Sequence, residues 1–277
     1  MQVKELESQV GLTLFDREGR RLSLSTAGEY FLVHARRLLN ALRDAEHAMA
    51  RLQRLEQGRL TLGMVSTAKY FVPQLLGRFR DEHPGVELKL QVAGNREQLL
   101  QWLQAGEVEL TVMGRPPKEI ATRGEAFAAH PMVFVAPPGH PLLTLGPLPV
   151  SALAAHPFIV REQGSGTRAA MAQFFAEHRF TPTVAMEISS NETIKQAVMA
   201  GMGLSFLSLH TVGLELTSGL LKILDVDHTP VMRTWNVVHL QSRTLSPLAE
   251  AFRYYLLEHG ERHLVAHDTP LLRPAGA

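Results

Sequence analysis

The sequence predicts an α/β protein of three parts: a small N-terminal head, a long helix, and two lobes of alternating strands and helices. Three observations carry that prediction. A basic turn lies between two short runs of alternating apolar residues at positions 15–26. The stretch from Glu29 to Gln57 has neither Pro nor Gly and keeps an apolar heptad. From Arg59 onward β-type and helical runs alternate, punctuated by Gly and Pro.

The head begins with Val3, Leu6 and Val10 on one face of a helix that Gly11 ends. Phe15 to Thr26 then reads as a hairpin with Glu18-Gly19 as its turn, because Gly takes a positive φ without steric cost. Leu22 and Leu24 face inward, and Ser23 and Ser25 face water. Arg17, Arg20 and Arg21 crowd the tip, where three cations suit a phosphate backbone. A merely solvated hairpin is the plainer alternative. Thr26-Ala27-Gly28-Glu29 fits a capping box, with Thr26 as N-cap and Glu29 three residues on.

The helix this box opens carries Phe31, Ala35, Leu38, Leu42, Ala45, Met49 and Leu52 at steps of four and three. Arg36, Arg37, Arg43, Asp44, Glu46, Arg51, Arg54 and Glu56 occupy its other faces. About 30 residues at ~1.5 Å each make a rod roughly 45 Å long. A narrow, Ala-spaced seam fits a helix paired with a second helix better than one packed on its own domain.

In the first lobe, strands are expected at Leu60–Val65, Val86–Val92, Glu109–Met113 and Met132–Ala136, with Gly106 stopping a helix through Leu99 and Leu103. Pro137-Pro138-Gly139-His140-Pro141 breaks the pattern and marks a crossover between lobes. The second lobe has strands at Phe158–Val160, Val184–Ile188, Leu204–Leu207 and Leu221–Val226. Trp235–Leu240 leads back to the first lobe, and Ser246 caps a last helix through His259. Such βα units imply mostly parallel sheets, and two lobes joined by two crossovers leave a cleft.

The strand-to-helix junctions are the cleft candidates. Ser66, Thr67, Ala68 and Lys69 follow the first strand, and Asn95 stands at the next such junction. Gly114, Arg115 and Pro116 close another strand. Arg161 and then Gly164, Ser165, Gly166, Thr167 and Arg168 follow a second-lobe strand, and Asn191, Glu192 and Thr193 open a further helix. Hydroxyls and backbone N–H groups at helix starts suit an anion, and an arginine there adds a fixed cation. Any single one of them reads first as an ordinary cap. Five at the expected ends of strands, two carrying Arg, point to an anionic ligand.

Other classes are disfavoured. A formal charge of +1 makes nucleic-acid contact a local property. With no cysteine, disulfide frameworks and thiolate metal sites are excluded. No apolar run reaches the ~20 residues that span a bilayer, and no signal peptide is evident, so a soluble cytoplasmic protein without membrane contact is expected. Gly164-Ser165-Gly166 is not a nucleophile elbow, and neither a P-loop nor H-E-x-x-H is present, so no enzyme and no cofactor are expected. His259, His263 and His267 are spaced for one helical face, but Gly260 interrupts that helix, and they read as a solvated face and not a metal site. Residues 263–277 are expected to form a flexible tail.

Met1 to Glu7, Gly11 to Phe15 and Leu24 to Gly28 resemble the winged helix-turn-helix of LysR-type transcriptional regulators. The resemblance implies a partial head at 1–26, with Gln2, Lys4, Arg17, Arg20 and Arg21 toward DNA. It also implies a bracing first helix ahead of Met1, so either a start assigned too late or a truncation is expected, and the chain as it stands should bind operator DNA weakly. A linker and dimerisation helix would span 27–58. A periplasmic-binding-protein-like effector domain would follow, with lobe I at 59–136 and 237–262 and lobe II at 137–236. Val65–Pro73, Val112–Pro117, Arg161–Arg168 and Ser190–Val198 are similar to the subgroup controlling Calvin-cycle carbon-fixation operons. That implies operator DNA, a homodimer or homotetramer, RNA polymerase as a candidate contact, and a phosphorylated metabolite or nicotinamide nucleotide as effector. A dicarboxylate would suit the same groups. A two-lobed solute-binding protein, or a metabolite sensor without DNA binding, is the alternative.

The seam yields a direct test. Leu38→Asp combined with Leu42→Asp places like charges at a helix interface and should give monomers. Light scattering that still returns the unsubstituted mass would show that the seam is not the subunit contact.

Overall fold

The computed structural model describes residues 2–18, 21–32, 34, 35, 38 and 58–272. Two compact units emerge, Met1–Arg54 and Leu55–Ala277.

In the first unit, helix α1 (Gln2–Val10) ends at Gly11, whose φ of 72° closes the turn with an N–H to Glu7 carbonyl bond of 2.9 Å. Strands β1 (Phe15–Glu18) and β2 (Arg21–Leu24) pair antiparallel with Phe15 opposite Leu24. The Glu7 carboxylate ties helix to hairpin by accepting the N–H groups of Leu14 and Phe15 at 2.8 and 3.2 Å. The next helix, α2, covers 26–32, 34, 35 and 38 among the described residues. Its N-cap is Ser25, and not Thr26 as the capping-box pattern suggests. Ser25 Oγ accepts the Gly28 N–H at 3.0 Å and donates to the Thr13 carbonyl at 2.6 Å. Competition for one cap between adjacent hydroxyls is decided by that second bond, which only Ser25 reaches. Leu38 is 73% exposed. The seam beyond it, Leu42 to Leu52, lies outside the described residues, as does the Glu18-Gly19 turn at Gly19.

In the second unit, β3 (Gly58–Val65) runs parallel to both β4 (Val86–Ala93) and β5 (Leu110–Met113). A 3-10 turn (Ser66–Tyr70) and α3 (Val72–Glu82) follow β3, and α4 (Arg96–Ala105) precedes β5. Gly106 ends α4 in the left-handed region, as expected. Strand β6 (Thr122–Ala136) is 15 residues long. Then come β7 (Pro157–Arg161), α5 (Gly166–Glu177), β8 (Thr183–Ile188), α6 (Asn191–Met199), β9 (Ser205–Ser208), α7 (Leu209–Thr217) and β10 (Lys222–Leu224). Strand β11 (Val231–Leu240) and helix α8 (Pro247–Leu272) complete it. Sheet order is β10-β6-β11-β5-β3-β4, with β9 also on β6, while β7 and β8 form a separate parallel pair.

Strands β6 and β11 pair antiparallel along the full length of β11, with a bulge between Trp235 and Asn236. They belong to both lobes. Phe127, Ala128, Trp235 and Val237 pack into the first core with Phe71, Phe79 and Phe252. Met132, Phe134 and Ala136 pack into the second with Phe158, Phe174, Phe175 and Phe206. The crossing therefore falls inside the strands, near residues 129–131 and 233–235. The boundaries expected at 136/137 and 236/237, and a crossover at Pro137–Pro141, are corrected accordingly. Parallel pairing holds for the βα units, but the strands joining the lobes are antiparallel.

Two expectations about the C-terminus also change. Helix α8 runs through Gly260 to Leu272, and His263 and Leu264 are buried, so 263–272 is no flexible tail; residues 273–277 lie outside the described residues. Gly260 is there for clearance: a Cβ would stand 2.4 Å from Phe127 Cδ2. No group of three potential metal ligands occurs among the described residues, and none of the described helices is long and apolar enough to cross a membrane. Ser246 does cap α8, accepting the Ala249 N–H at 3.2 Å and anchored to Glu109.

Gly260→Ala separates the two roles of this glycine. Helix propensity alone would stabilise by about 1 kcal/mol, whereas overpacking against Phe127 costs about 1–3 kcal/mol. Net destabilisation is expected, read as a lower denaturant midpoint. A variant more stable than the original would mean that α8 does not press on Phe127.

Candidate functional site

The C-terminal ends of β3, β4, β5 and β7 converge with the middle of β6 and β11 on one cavity. Ser66 and Thr67 line it from the 3-10 turn, and Gly94, Asn95 and Arg96 from the start of α4. Met113 comes from the end of β5 and Gly114 and Arg115 from the segment just after it, and Arg161, Glu162, Ser165, Gly166 and Thr167 from the β7–α5 junction. His130 and Arg233 stand on the two joining strands. Its volume is about 50 Å³. At roughly 10–15 Å³ per enclosed water, that is room for a handful of waters or one small anion.

Local sequence explains the walls. Ser165 is the N-cap of α5, its Oγ accepting the Thr167 N–H at 3.2 Å. Asn95 caps α4 in the same manner, accepting from Gln98 N at 2.9 Å. Both caps place the first helical residues at the cavity, where free N–H groups favour negative charge.

Charge sets the chemistry. Four guanidinium groups line the cavity, against the one carboxylate of Glu162. Arg161, only 5% exposed, spends its charge locally: Glu162 accepts from Nε at 2.7 Å and Nη2 at 2.8 Å, and Asn191 Oδ1 accepts from Nη1 at 2.6 Å. Arg161 Nη2 also reaches Ser66 Oγ at 3.4 Å, joining the lobes. Arg96 pairs with Glu119 at 2.9 Å, which holds that exposed carboxyl down at about 2. Arg233 donates instead to two carbonyls, Gly166 at 2.9 Å and Gly114 at 3.3 Å. Burial, and then Arg115 nearby, lower its pKa. Arg115 and Arg233 have no carboxylate partner among the described residues. The cavity thus presents two uncompensated positive charges, the arrangement that holds an anion.

His130 adds a neutral group. Its ring is 3% exposed, stacks on Trp235 at 3.9 Å, and has no hydrogen-bond partner for either nitrogen among the described residues. Burial holds it well below the usual histidine range, reinforced by His210 and Arg233.

Of the expected ligand residues, the structure brings Ser66, Thr67, Asn95, Gly114, Arg115, Arg161, Ser165, Gly166 and Thr167 together. Ala68 is buried in the first core instead. Lys69 lies 3.5 Å from Glu192. Pro116 packs toward Gly124, and Gly164 only supplies a positive φ before the cap. Arg168, expected to face the cleft, does not line it: one residue beyond Thr167, the helix has turned by about 100°. Asn191 supports Arg161 from behind. Glu192 accepts the Tyr70 hydroxyl at 2.5 Å and the Lys195 ammonium at 2.9 Å, while the Thr193 N–H is capped by Ser190. Sequence reasoning passed over Arg96, Met113, His130, Glu162 and Arg233. Arg96 and Glu162 adjoin residues that were singled out, whereas nothing local marks His130 and Arg233. In the head, Lys4 is exposed on α1, where Gln2 is the first residue; Arg17 and Arg21 belong to β1 and β2, and Arg20 lies outside the described residues.

Residues 53–261 match the LysR substrate binding domain. The chain is 49% identical over 259 residues to the HTH-type transcriptional regulator CfxR of Cupriavidus necator, covering 94% of this chain and 81% of that one. It is 48% identical over 256 residues to the regulator CbbR of Rhodospirillum rubrum, covering 92% and 85%. The regulatory domain of CcmR from Synechocystis PCC6803, solved in complex with 2-PG, superposes with a TM-score of 0.69 at 42% identity, covering 73% of this chain and 97% of that one. These relatives are named as regulators and not as enzymes. The chain belongs to the LysR family of transcriptional regulators.

Proposed function

We propose that this regulator controls a carbon-fixation operon in the cytoplasm, binding operator DNA as a homodimer or homotetramer and gated by a small phosphorylated carboxylic acid. The observation that carries the effector class is the pair of arginines, Arg115 and Arg233, left without carboxylates around a cavity of about 50 Å³. Two cations match a ligand with two anionic ends. Size argues for a compact ester such as 2-phosphoglycolate over a nicotinamide nucleotide, which would need the lobes to part. Relatives named for the RuBisCO operon, and the CcmR domain with its 2-PG, support the same choice.

Gating follows from placement. A ligand touching Arg115 from one lobe and Thr167 from the other binds best at one lobe angle, and so selects it. Pairing of the long helix would carry that angle to two DNA-reading heads at fixed spacing.

Calorimetric titration with 2-phosphoglycolate tests the reading. Loss of one charge-assisted bond on an exposed arginine should weaken binding about tenfold in Arg115→Ala, equivalent to ~1.4 kcal/mol. Arg168→Ala, outside the cavity, should leave affinity unchanged. Equal affinities for Arg115→Ala and the original chain, or a loss confined to Arg168→Ala, would remove the cavity from consideration.

A further inference from the structure

His130 has more to do than fill space. A buried ring nitrogen is costly to leave without a partner, and this ring has two such nitrogens among the described residues. Its plane is fixed by the Trp235 stack, with centroids 3.9 Å apart and 16° between planes. The ring forms part of the cavity wall beside Gly114, where even a Cβ would come within 3.1 Å of Nδ1. A glycine there keeps the approach to the imidazole open.

The charged surroundings are known from each side. Arg233 faces His130 from β11, and His210 from α7 at a ring separation of 6.0 Å. Arg115 follows Gly114 just after the end of β5. Across the cavity stand Arg161 and Glu162, already joined to each other. His210 receives the Trp235 indole N–H on Nδ1 at 3.2 Å. No free carboxylate faces His130 among these groups, so an empty cleft opposes a further positive charge. A bound dianion reverses that balance.

We propose that His130 is the joining-strand contact of the anionic effector and gains a proton as the effector binds, so that the cleft responds to acidity and metabolite together. This rests on the reading of the cleft as an effector site. The neutral ring donates one N–H to the ligand, and the added proton makes that bond charge-assisted. Proton uptake means tighter binding as pH falls, at most tenfold per pH unit for a full proton. The second phosphate ionisation of the ligand, near pH 6, works in the opposite direction. The comparison must therefore be made against a variant that shares this contribution from the ligand.

The test is calorimetry of the full chain with 2-phosphoglycolate between about pH 6 and 8, for the original and for His130→Phe, which keeps a ring against Trp235. Titrations in two buffers of different ionisation heat give the protons taken up. The original should take up more than the variant, and its affinity advantage should widen toward pH 6. Equal uptake with a constant ratio of affinities overturns the proposal. If His130→Phe does not fold, the labelled imidazole of the original chain is read by NMR. Its signal should move from neutral to imidazolium on saturation near pH 6.5, and a signal that stays neutral overturns the proposal equally. Failure of 2-phosphoglycolate to bind the original chain at every pH instead overturns the effector reading beneath it.

Discussion

The pairing of β6 with β11 is the constraint on which the larger unit depends. Each of these strands contributes to both hydrophobic cores, so neither lobe has a complete interior without the other's chain passing through. Two strands joined in one ladder and crossing between cores resist shear, since sliding by one residue would turn every side chain to the wrong face. Bending is cheaper, and the bulge at Trp235/Asn236 already concentrates twist there. Pro131, opposite Met232, stands just ahead of Met132, where pairing of β6 with β9 begins. The joining strands thus oppose shear between the lobes more than bending.

Charge accounting gives the cavity its sign. Guanidinium groups at such a site are not equivalent merely by being present. Arg161 is closely satisfied by Glu162 and Asn191 and acts as framework, with its Ser66 contact spanning the lobes. Arg96 is anchored by Glu119. Among the described residues Arg233 is held by carbonyl dipoles, which orient a cation without cancelling it. Arg115 is exposed and without a carboxylate among the described residues. The excess sits on those last two.

The sequence made the βα units legible because their signals are local. Gly106 had to be a helix stop, Ser246 before Pro247 had to be a cap, and the apolar runs at 60–65 and 158–160 had the length of buried strands. Candidate residues at strand ends were found for the same reason: the chemistry of a cap and that of an anion site coincide. The joining strands were legible only in part: Met132–Ala136 and Trp235–Leu240 read as strands, but not their extension over 122–131 and 231–234 nor their pairing with each other. Ala126, Ala128, Ala129 and Pro131 carry little β signal, and their pairing partner lies a hundred residues away in the chain. His130 and Arg233 were missed with them, since their place in the cavity follows from long-range pairing alone. Gly260 misled for the opposite reason, because a glycine needed for clearance against Phe127 looks the same as one that ends a helix. Arg168 misled by one helical step.

Gating then reduces to a comparison of contacts between the lobes. In this arrangement Tyr70 donates to Glu192, Arg161 to Ser66, and Arg233 to both Gly114 and Gly166. Burial, followed by the Glu192 hydrogen bond, raises the Tyr70 pKa, so that hydroxyl remains a donor. Bonds of this kind are worth about 0.5–3 kcal/mol each net of water, comparable to the 1–3 kcal/mol of a typical coupling energy. Small contacts of that size suffice to bias a bend without locking it. Arg233 occupies the decisive position among them. On the proposed reading, an anion in the cavity would compete with the Gly114 and Gly166 carbonyls for the same guanidinium, so that ligand binding and lobe angle would draw on one side chain. Neither would then change without altering the free energy of the other, which is how the proposed site would link a metabolite concentration to a conformation.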